Sequence, residues 1–276
     1  MDGRRGGAAA VLTRQAERAA ARRRRSQRDT LIATVSTVAL LGLLATAILT
    51  SKGWPTVKAT FFSWESLQTS FPEVLRGFWL DVKLFVVVEI VVLILGLAIA
   101  LARVSTVPAF APVRLLGAVF VDVLRGVPTI LVVYLIGFGV PALELSGVPS
   151  SPVVLGGAAL ALSYSAYVAE VYRAGIRSIH PSQRAAALAI GLTGRQSLRH
   201  VVLPQAVRRV VPPLLNDFIS LQKDVALVSI LGPLEAFRVA QIEASSNFEY
   251  TPLVAAAALY LCVTIPLARV VDRMSR

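Results

Sequence analysis

Long apolar runs separated by short polar segments constrain this chain more than any other feature. A membrane-crossing helix needs about 20 mostly apolar residues to span about 30 Å of hydrocarbon. Six runs approach that length: 31–50, 80–102, 112–138, 152–173, 207–231 and 251–271. The chain is 55% hydrophobic and only 16% charged, far from the composition of a soluble globular domain. These features predict an all-α polytopic membrane protein.

The distribution of basic residues predicts how the chain is oriented. Nine arginines lie in the first 28 residues, so residues 1–30 form a basic tail. If that tail is cytoplasmic, six spans also place 103–111, 174–206 and the C-terminus in the cytoplasm. Those segments and their edges hold 21 of the 28 Lys and Arg residues, as the positive-inside rule expects. We therefore expect a multi-pass protein of the cell membrane with a cytoplasmic N-terminus, and the net charge of +12 does not indicate nucleic acid.

Two N-terminal segments precede the remaining spans. Residues 31–50 read as an additional transmembrane helix, although a cleaved signal peptide is the alternative. The apolar run exceeds the roughly 7–15 residues of a signal-peptide core, which favours an uncleaved anchor. Residues 51–79 are external and rich in Trp and Phe, which favours a location at the lipid headgroups over a role in substrate binding.

A polar, basic loop at residues 179–204 interrupts the apolar pattern. Ser182 to Ile190 reads as an Ala-rich helix, which glycines end, and Arg195 to Leu203 reads as a second helix that Pro204 stops. The small side chains of the first helix would let another surface approach it closely. The loop is therefore predicted to couple the membrane domain to a cytoplasmic partner.

This loop resembles the EAA loop of binding-protein-dependent ABC importer permeases. The family pattern is EAA, three residues, Gly, nine residues, Ile, one residue and Leu-Pro. The matching positions are Ala186, Ala187, Gly191, Val201, Leu203 and Pro204. Ala185 stands where the family has Glu, so Ser182 lacks the acidic half of a capping box. We expect this to weaken the helix start by about 1 kcal/mol or less and to remove a charge contact to the ATPase.

Three further motifs resemble those of the polar amino acid branch, which includes the histidine, glutamine and glutamate permeases. They occur in the family's order, on the third, fourth and fifth spans. Their matching residues are Asp122, Arg125, Gly126 and Pro128, then Tyr167, Glu170, Arg173 and Gly175, then Pro213, Asn216, Lys223, Asp224 and Leu227. The resemblance implies a five-span permease core over residues 80–276, preceded by one extra transmembrane helix.

The resemblance also implies the partners and the cargo. An external solute-binding protein would deliver a polar amino acid of the glutamate, glutamine or histidine kind to a dimer of permease subunits, identical or related. The chain has no P-loop pattern, so it should not hydrolyse ATP and should rely on separate ABC ATPase subunits. We expect no catalytic residue, no bound cofactor and no metal site, because two histidines and one cysteine are too few for one.

Ionisable residues inside spans are unfavourable and usually face a bundle interior or a cavity. Asp122 and Arg125 are three residues apart and are expected to pair, either as a structural clamp or along the pathway. Glu89 is either a buried neutral acid or a contact for a substrate ammonium group. The remaining residues assigned to the pathway or its support are Gly126, Pro128, Asn216, Lys223 and Asp224, and those assigned to a cytoplasmic gate or interface are Glu170, Arg173 and Gly175.

Two other classes of protein remain as alternatives. An ATP-independent secondary transporter or channel would need ion-coupling carboxylates in paired repeats, and the sequence shows no such repeat. A DNA-binding helix-turn-helix is disfavoured because the membrane spans leave no scaffold to present a recognition helix.

Overall fold

The computed structural model of this chain describes residues 27–105 and 107–274 and divides into two units. The first unit ends at Ala59. Its described part contains helix α1 (Gln27–Leu49), which has a mean hydropathy of 2.2 and is exposed along its whole length. A helix this apolar that buries none of its own surface is suited to lipid. Helix α2 (Trp54–Phe61) follows it.

The second unit, Thr60–Arg276, is a bundle whose described elements are all helical. Its helices are α3 (Trp64–Val104), α4 (Ala111–Gly126), α5 (Thr129–Ala142), α6 (Pro152–Arg177), α7 (Pro181–Ala189), α8 (Gly194–Ser197), α9 (Leu203–Asp224), α10 (Ala236–Asn247) and α11 (Thr251–Met274). Shorter helical turns occupy Pro108–Phe110, Leu198–Val202 and Val225–Leu231.

Four helices among the described residues are long and apolar enough to cross a membrane, and two bent helix pairs raise the number to six. One pair is α4 with α5, and the chain bends by 107° between them. The predicted third run of 112–138 is therefore not one straight span. Pro128 explains the break, because proline lacks an N–H and pushes the preceding residue out of helical conformation. Val127 accordingly has φ −101° and ψ 131°.

The sequence predicted that an external segment ends at residue 79 and a span begins at residue 80. Helix α3 runs through that boundary without a break. It is continuous over 41 residues and begins at Trp64, after the N-cap Ser63, whose hydroxyl accepts the Ser66 N–H. The aromatic-rich region 51–79 therefore contains α2 and the first turns of α3. Pro72 lies inside α3, and the helix continues through it.

Small residues allow the central helices to pack closely. Helix α6 buries 13 residues, most of them Gly, Ala or Ser. A Cβ on Gly96 of α3 would lie 2.7 Å from Val168 Cγ1 of α6, and one on Gly156 of α6 would lie 2.5 Å from Val228 Cγ1. Close backbone approach of this kind is what holds helices together in lipid, where the hydrophobic effect is weak.

The contact between α3 and the start of α10 depends on Gly77. A Cβ there would lie 2.7 Å from both the Ala236 nitrogen and the Glu235 carbonyl carbon, and neither backbone atom can move aside alone. Gly77→Ala is expected to destabilise the protein by about 1–3 kcal/mol, measured as a lower Tm of the purified chain. Gly139→Ala in α5 is the control, because nothing lies within 4 Å of its Cβ position, and equal Tm values for the two variants would contradict the tight contact.

Candidate functional site

The polar loop folds as predicted into a short helix and a glycine turn, but the helix has a different cap. Helix α7 begins at Pro181, and His180 is its N-cap, with Nδ1 accepting the Ser182 N–H at 3.2 Å. Ser182 is therefore the second residue of the helix and not its capping residue. Proline is favoured at the first helical position, where its missing N–H has no partner to lose.

Gly191 makes the turn that follows α7. Its φ is +86°, a left-handed conformation that glycine adopts without strain. The Leu192 N–H donates to Ala187 O at 3.1 Å and closes the helix end. A capping box then starts α8: the Thr193 hydroxyl accepts the Gln196 N–H at 3.3 Å, and Gln196 Oε1 accepts the Thr193 N–H at 2.9 Å. The Thr-x-x-Gln pattern is visible in the sequence and is the signal that could have marked this helix start, which was instead predicted at Arg195.

The prediction that Pro204 stops the second helix is wrong. Helix α8 continues through a π turn at Leu198–Val202 directly into α9, with the Leu203 N–H donating to Leu198 O. Pro204 lies in the first turn of α9, where the wide turn before it removes the need for its N–H. The second helix of the loop and a long helix of the bundle are consequently one continuous element.

The loop presents apolar side chains to its surroundings. Ala187 is 3% exposed and holds α7 against the rest of the loop, whereas Ile190 is 78% exposed and Leu198 is 56% exposed. Among the residues singled out from the sequence, Val201 is half-buried and these are exposed: Ser182, Ala185, Ala186, Gly191, Leu203 and Pro204. The sequence analysis did not select Ile190 and Leu198, although large apolar residues in a basic loop are a recognisable signal of a partner surface.

The loop is also fastened to the bundle by polar contacts. Gln205 of α9 donates to Gln183 of α7 at 3.4 Å. The Arg209 guanidinium donates to the carbonyl oxygen of Ser178, just beyond the end of α6. These contacts link α7 to α9, and α9 to the end of α6.

Within the bundle, carboxyl groups from α3 and α9 face each other. The carboxyls of Glu89 and Asp217 lie close enough to repel, and the Arg125 guanidinium is close enough to attract Asp217. Arg125 also lies over the ring of Tyr167, 5.7 Å from its centroid. One carboxylate oxygen of Asp217, Oδ2, is buried and has no hydrogen-bond partner. Asp217 was not among the residues singled out from the sequence.

A second polar contact continues this cluster along α9. The Tyr164 hydroxyl donates to Asp224 Oδ2 at 2.8 Å. Asn216 and Lys223 are on the same helix, but both are exposed on the single chain. Gly126 and Pro128 flank the break between α4 and α5, next to Arg125. The cluster so formed contains three carboxyl groups, from Glu89, Asp217 and Asp224, and one guanidinium.

The predicted pairing of Asp122 with Arg125 is wrong. In the described part of the chain, no ion pair within 4 Å joins them. Arg125 sits in the last turn of α4, and its long side chain extends past the break to Tyr167. The field of Asp122 acts on Arg173 of α6 instead. A three-residue spacing permits a pair on a helix surface, but tertiary neighbours decide whether it forms.

Three charged residues cluster where α3 and α6 approach their C-terminal ends. Glu170 accepts from Arg103 of α3 at 2.9 Å and also from Arg173 of its own helix. Gly175, one turn further, lets α9 come close, because a Cβ there would lie 2.8 Å from Val210 Cγ2. The sequence singled out Glu170, Arg173 and Gly175 but not Arg103, which reads there only as a basic residue at the end of a span.

Known proteins resemble this chain over most of its length. Residues 92–276 match the family described as binding-protein-dependent transport system inner membrane component. A probable amino-acid permease protein YxeN of Bacillus subtilis is 32% identical over 77% of this chain and 94% of its own length. The glutamate/aspartate import permease protein GltK of Escherichia coli O157:H7 is 34% identical over 78% of this chain and 97% of its own.

A solved structure shows the same arrangement of helices. A chain from the crystal structure of an amino acid ABC transporter with histidines superposes with a TM-score of 0.69 at 31% identity. The match covers 76% of this chain and 96% of that one. Each of these two relatives and this solved structure leaves about a quarter of this chain unmatched.

Proposed function

Because this chain belongs to the family of inner membrane components of binding-protein-dependent transport systems, we propose that it is the permease subunit of an ATP-driven importer of polar amino acids. One observation carries the proposal beyond family membership. The second helix of the cytoplasmic loop, α8, and the acid-bearing helix α9 form one continuous helical element. Movement imposed on α8 can therefore reach Asp217 and Asp224 along the same run of helical turns.

The partner on the loop is a separate ABC ATPase subunit. ATP hydrolysis is assigned to that subunit because the sequence of this chain contains no P-loop pattern. The exposed apolar residues Ile190 and Leu198, together with the small residues Ala185 and Ala186 of α7, form the docking surface. The work of ATP binding and hydrolysis is then a coupling free energy between this loop and the pathway.

The second partner is another permease subunit. Asp122, Arg125, Asn216 and Lys223 belong to membrane helices but are exposed on the single chain. Charged side chains in membrane helices face a bundle interior or a water-filled cavity and not lipid. A second subunit, identical or related, therefore covers this face and encloses the pathway with it.

The cluster on α3, α4 and α9 supplies the contacts for the amino acid. Glu89 and Asp217 receive the α-ammonium group, and Arg125 receives the α-carboxylate. Pro128 frees backbone groups at the α4–α5 break, which are tolerated in a membrane only where they line a cavity or contact protein. Because carboxyl groups outnumber the guanidinium, the cluster favours amino acids with a neutral or cationic side chain over glutamate and aspartate.

The remaining features follow from the direction of transport. An external solute-binding protein delivers the amino acid, and Glu170, Arg103 and Arg173 form a charged gate or interface at the cytoplasmic end. Residues 80–276 are the permease core, 31–50 an additional transmembrane helix and 51–79 the region at the outer headgroups. The N-terminus and the coupling loop share the cytoplasmic side.

Affinity purification of the chain from its native membrane, followed by mass spectrometry, tests the assembly. We expect a P-loop ATPase and a solute-binding protein to co-purify. Ile190→Asp should lose the ATPase but retain the second permease subunit, because it places a charge only on the loop surface. Recovery of neither partner with an intact, folded wild-type chain, together with uptake that ignores ATP depletion, would favour the ATP-independent transporter.

A further inference from the structure

Asp81 and Glu235 bring two carboxyl groups together where α3 meets the start of α10. Only 3% of Asp81 and 2% of Glu235 is exposed. Both carboxyls accept backbone N–H groups from the first turn of α10. Asp81 Oδ2 accepts the Ala236 N–H at 3.3 Å, and the Glu235 oxygens accept the N–H groups of Phe237 and Arg238 at 2.7 and 2.6 Å.

Tyr260 of α11 joins the two acids. Its hydroxyl donates to Asp81 Oδ2 at 2.7 Å and lies next to the Glu235 carboxyl. The other oxygen of Asp81, Oδ1, is buried and has no hydrogen-bond partner. Asp81 also lines a cavity of about 500 Å³ between α3, α9 and α11, where its neighbours are almost all apolar. The unsatisfied oxygen is therefore the feature of this cluster that needs an explanation.

No basic side chain neutralises the two acids. In the described part of the chain, neither carboxyl forms an ion pair. Three basic residues of α3 and α10 have other contacts: Arg76 pairs with Glu73, Lys83 is exposed over the Trp79 ring, and Arg238 donates to Gln241. On α9, Gln222 lines the same cavity and accepts from Thr264 of α11.

The helix terminus offsets only part of the charge. The N-terminus of a helix carries about half a positive charge, which suits one carboxylate at the start of α10 but not two. A second buried, unpaired carboxylate would be strongly unfavourable, and such groups take up a proton instead.

We propose that Asp81 and Glu235 form a proton-binding site that holds one proton and locks α10 onto α3. Glu235 is the ionised member, because both of its oxygens accept backbone N–H groups and form the cap of α10. Asp81 carries the proton on Oδ1, the oxygen without a donor, and keeps Oδ2 as the acceptor for Tyr260 and Ala236. This assignment is independent of which solute the protein transports.

The site makes the contact between α3 and α10 sensitive to pH. Loss of the proton would leave two negative charges facing each other in a medium of low dielectric constant. Because Gly77 holds the backbones of α3 and α10 in direct contact, the repulsion cannot be relieved by a small shift of side chains. The start of α10 would separate from α3 as the pH rises.

Infrared spectroscopy of the full chain in lipid nanodiscs tests the proton directly. We expect the wild-type spectrum at neutral pH to contain a protonated-carboxyl C=O band that Asp81→Asn lacks. The Asn side chain keeps an acceptor for Tyr260 and Ala236, so the variant should fold. Glu73→Gln is the matched control, since it removes an exposed acid from the same helix and should leave the band in place. A wild-type-minus-Asp81→Asn difference spectrum without the band would overturn the proposal.

A titration shows whether the two acids share the site. The bound proton stabilises the folded chain from the pH at which an unfolded aspartate ionises, about 4, so the wild-type Tm should fall as the pH rises from there until the site loses its proton, whereas the Tm of Asp81→Asn should change less over that range. Glu235→Gln removes the neighbouring charge, so its protonated-carboxyl band should disappear at a lower pH than in the wild type. An unchanged midpoint in Glu235→Gln would overturn the sharing of one proton even if Asp81→Asn failed to fold.

Discussion

Replacement of Asp217 by Asn is expected to lower amino acid uptake by roughly tenfold to a hundredfold, which corresponds to the roughly 1.5–3 kcal/mol of a hydrogen bond to a charged group. Asp217 has an oxygen without a partner, a repelling neighbour in Glu89 and an attracting one in Arg125. A cationic group of the substrate would satisfy that oxygen and relieve the repulsion. Asn keeps the size of the side chain but removes the charge that attracts the ammonium group.

Uptake of a radiolabelled amino acid into proteoliposomes containing the assembled transporter measures this effect. Asp217→Glu keeps the charge and should retain much of the activity, and Glu73→Gln removes an exposed acid from the N-terminal part of α3 and should change nothing. The same assay tests substrate charge, because arginine should compete better than glutamate for the wild-type pathway. Wild-type uptake by Asp217→Asn, at equal amounts of assembled transporter, would remove Asp217 from the pathway.

Substitution of Gly191 by Val is expected to uncouple ATP hydrolysis from transport. Gly191 has a φ of +86°, and a left-handed conformation costs a non-glycine residue about 1–2 kcal/mol, with β-branched residues affected most. The space around Gly191 is open, with no atom within 4 Å of a Cβ position. The penalty therefore falls on the backbone of the turn, which would shift α7 relative to α8 and misplace the docking surface.

The readout is the ratio of amino acid transported to ATP hydrolysed in the reconstituted complex. Gly191→Asn is the matched control, because Asn tolerates the left-handed region and should keep the ratio near that of the wild type. Gly191→Val should lower it about tenfold, in line with the backbone penalty, while membrane insertion stays normal. Equal ratios for the Val and Asn variants would show that the turn conformation is not needed for coupling.

The sequence was sufficient where local chemistry determines structure. The apolar runs identified the helical membrane fold, and Gly191 marked a turn because glycine alone adopts its conformation freely. Gly126 and Pro128 also mark the break between α4 and α5 in the sequence, because glycine and proline both weaken a helix. Pro204 was misread because a proline ends a helix or begins one, and the π turn that decides between the two is not visible in residue types.

Contacts between distant parts of the chain were not predictable from one sequence. The spacing of Asp122 and Arg125 permitted an ion pair, yet the position of Tyr167 on another helix determines where Arg125 lies. Glu89 had no evident partner in sequence because Asp217 lies on α9. Asp81 and Glu235 are 154 positions apart and share no sequence motif, and only the packing of α3, α10 and α11 brings them together.

The unbroken passage from α8 through the π turn into α9 has a mechanical consequence. Helix α9 has 22 residues, and at about 1.5 Å per residue it is roughly 33 Å long. A rigid-body tilt of this helix by about 5° at its base would displace its far end by about 3 Å, on the scale of a hydrogen-bond length. If the loop docks on an ATPase as proposed, a slight rocking of that partner would be large enough, at the other end of α9, to make or break contact with a small ligand.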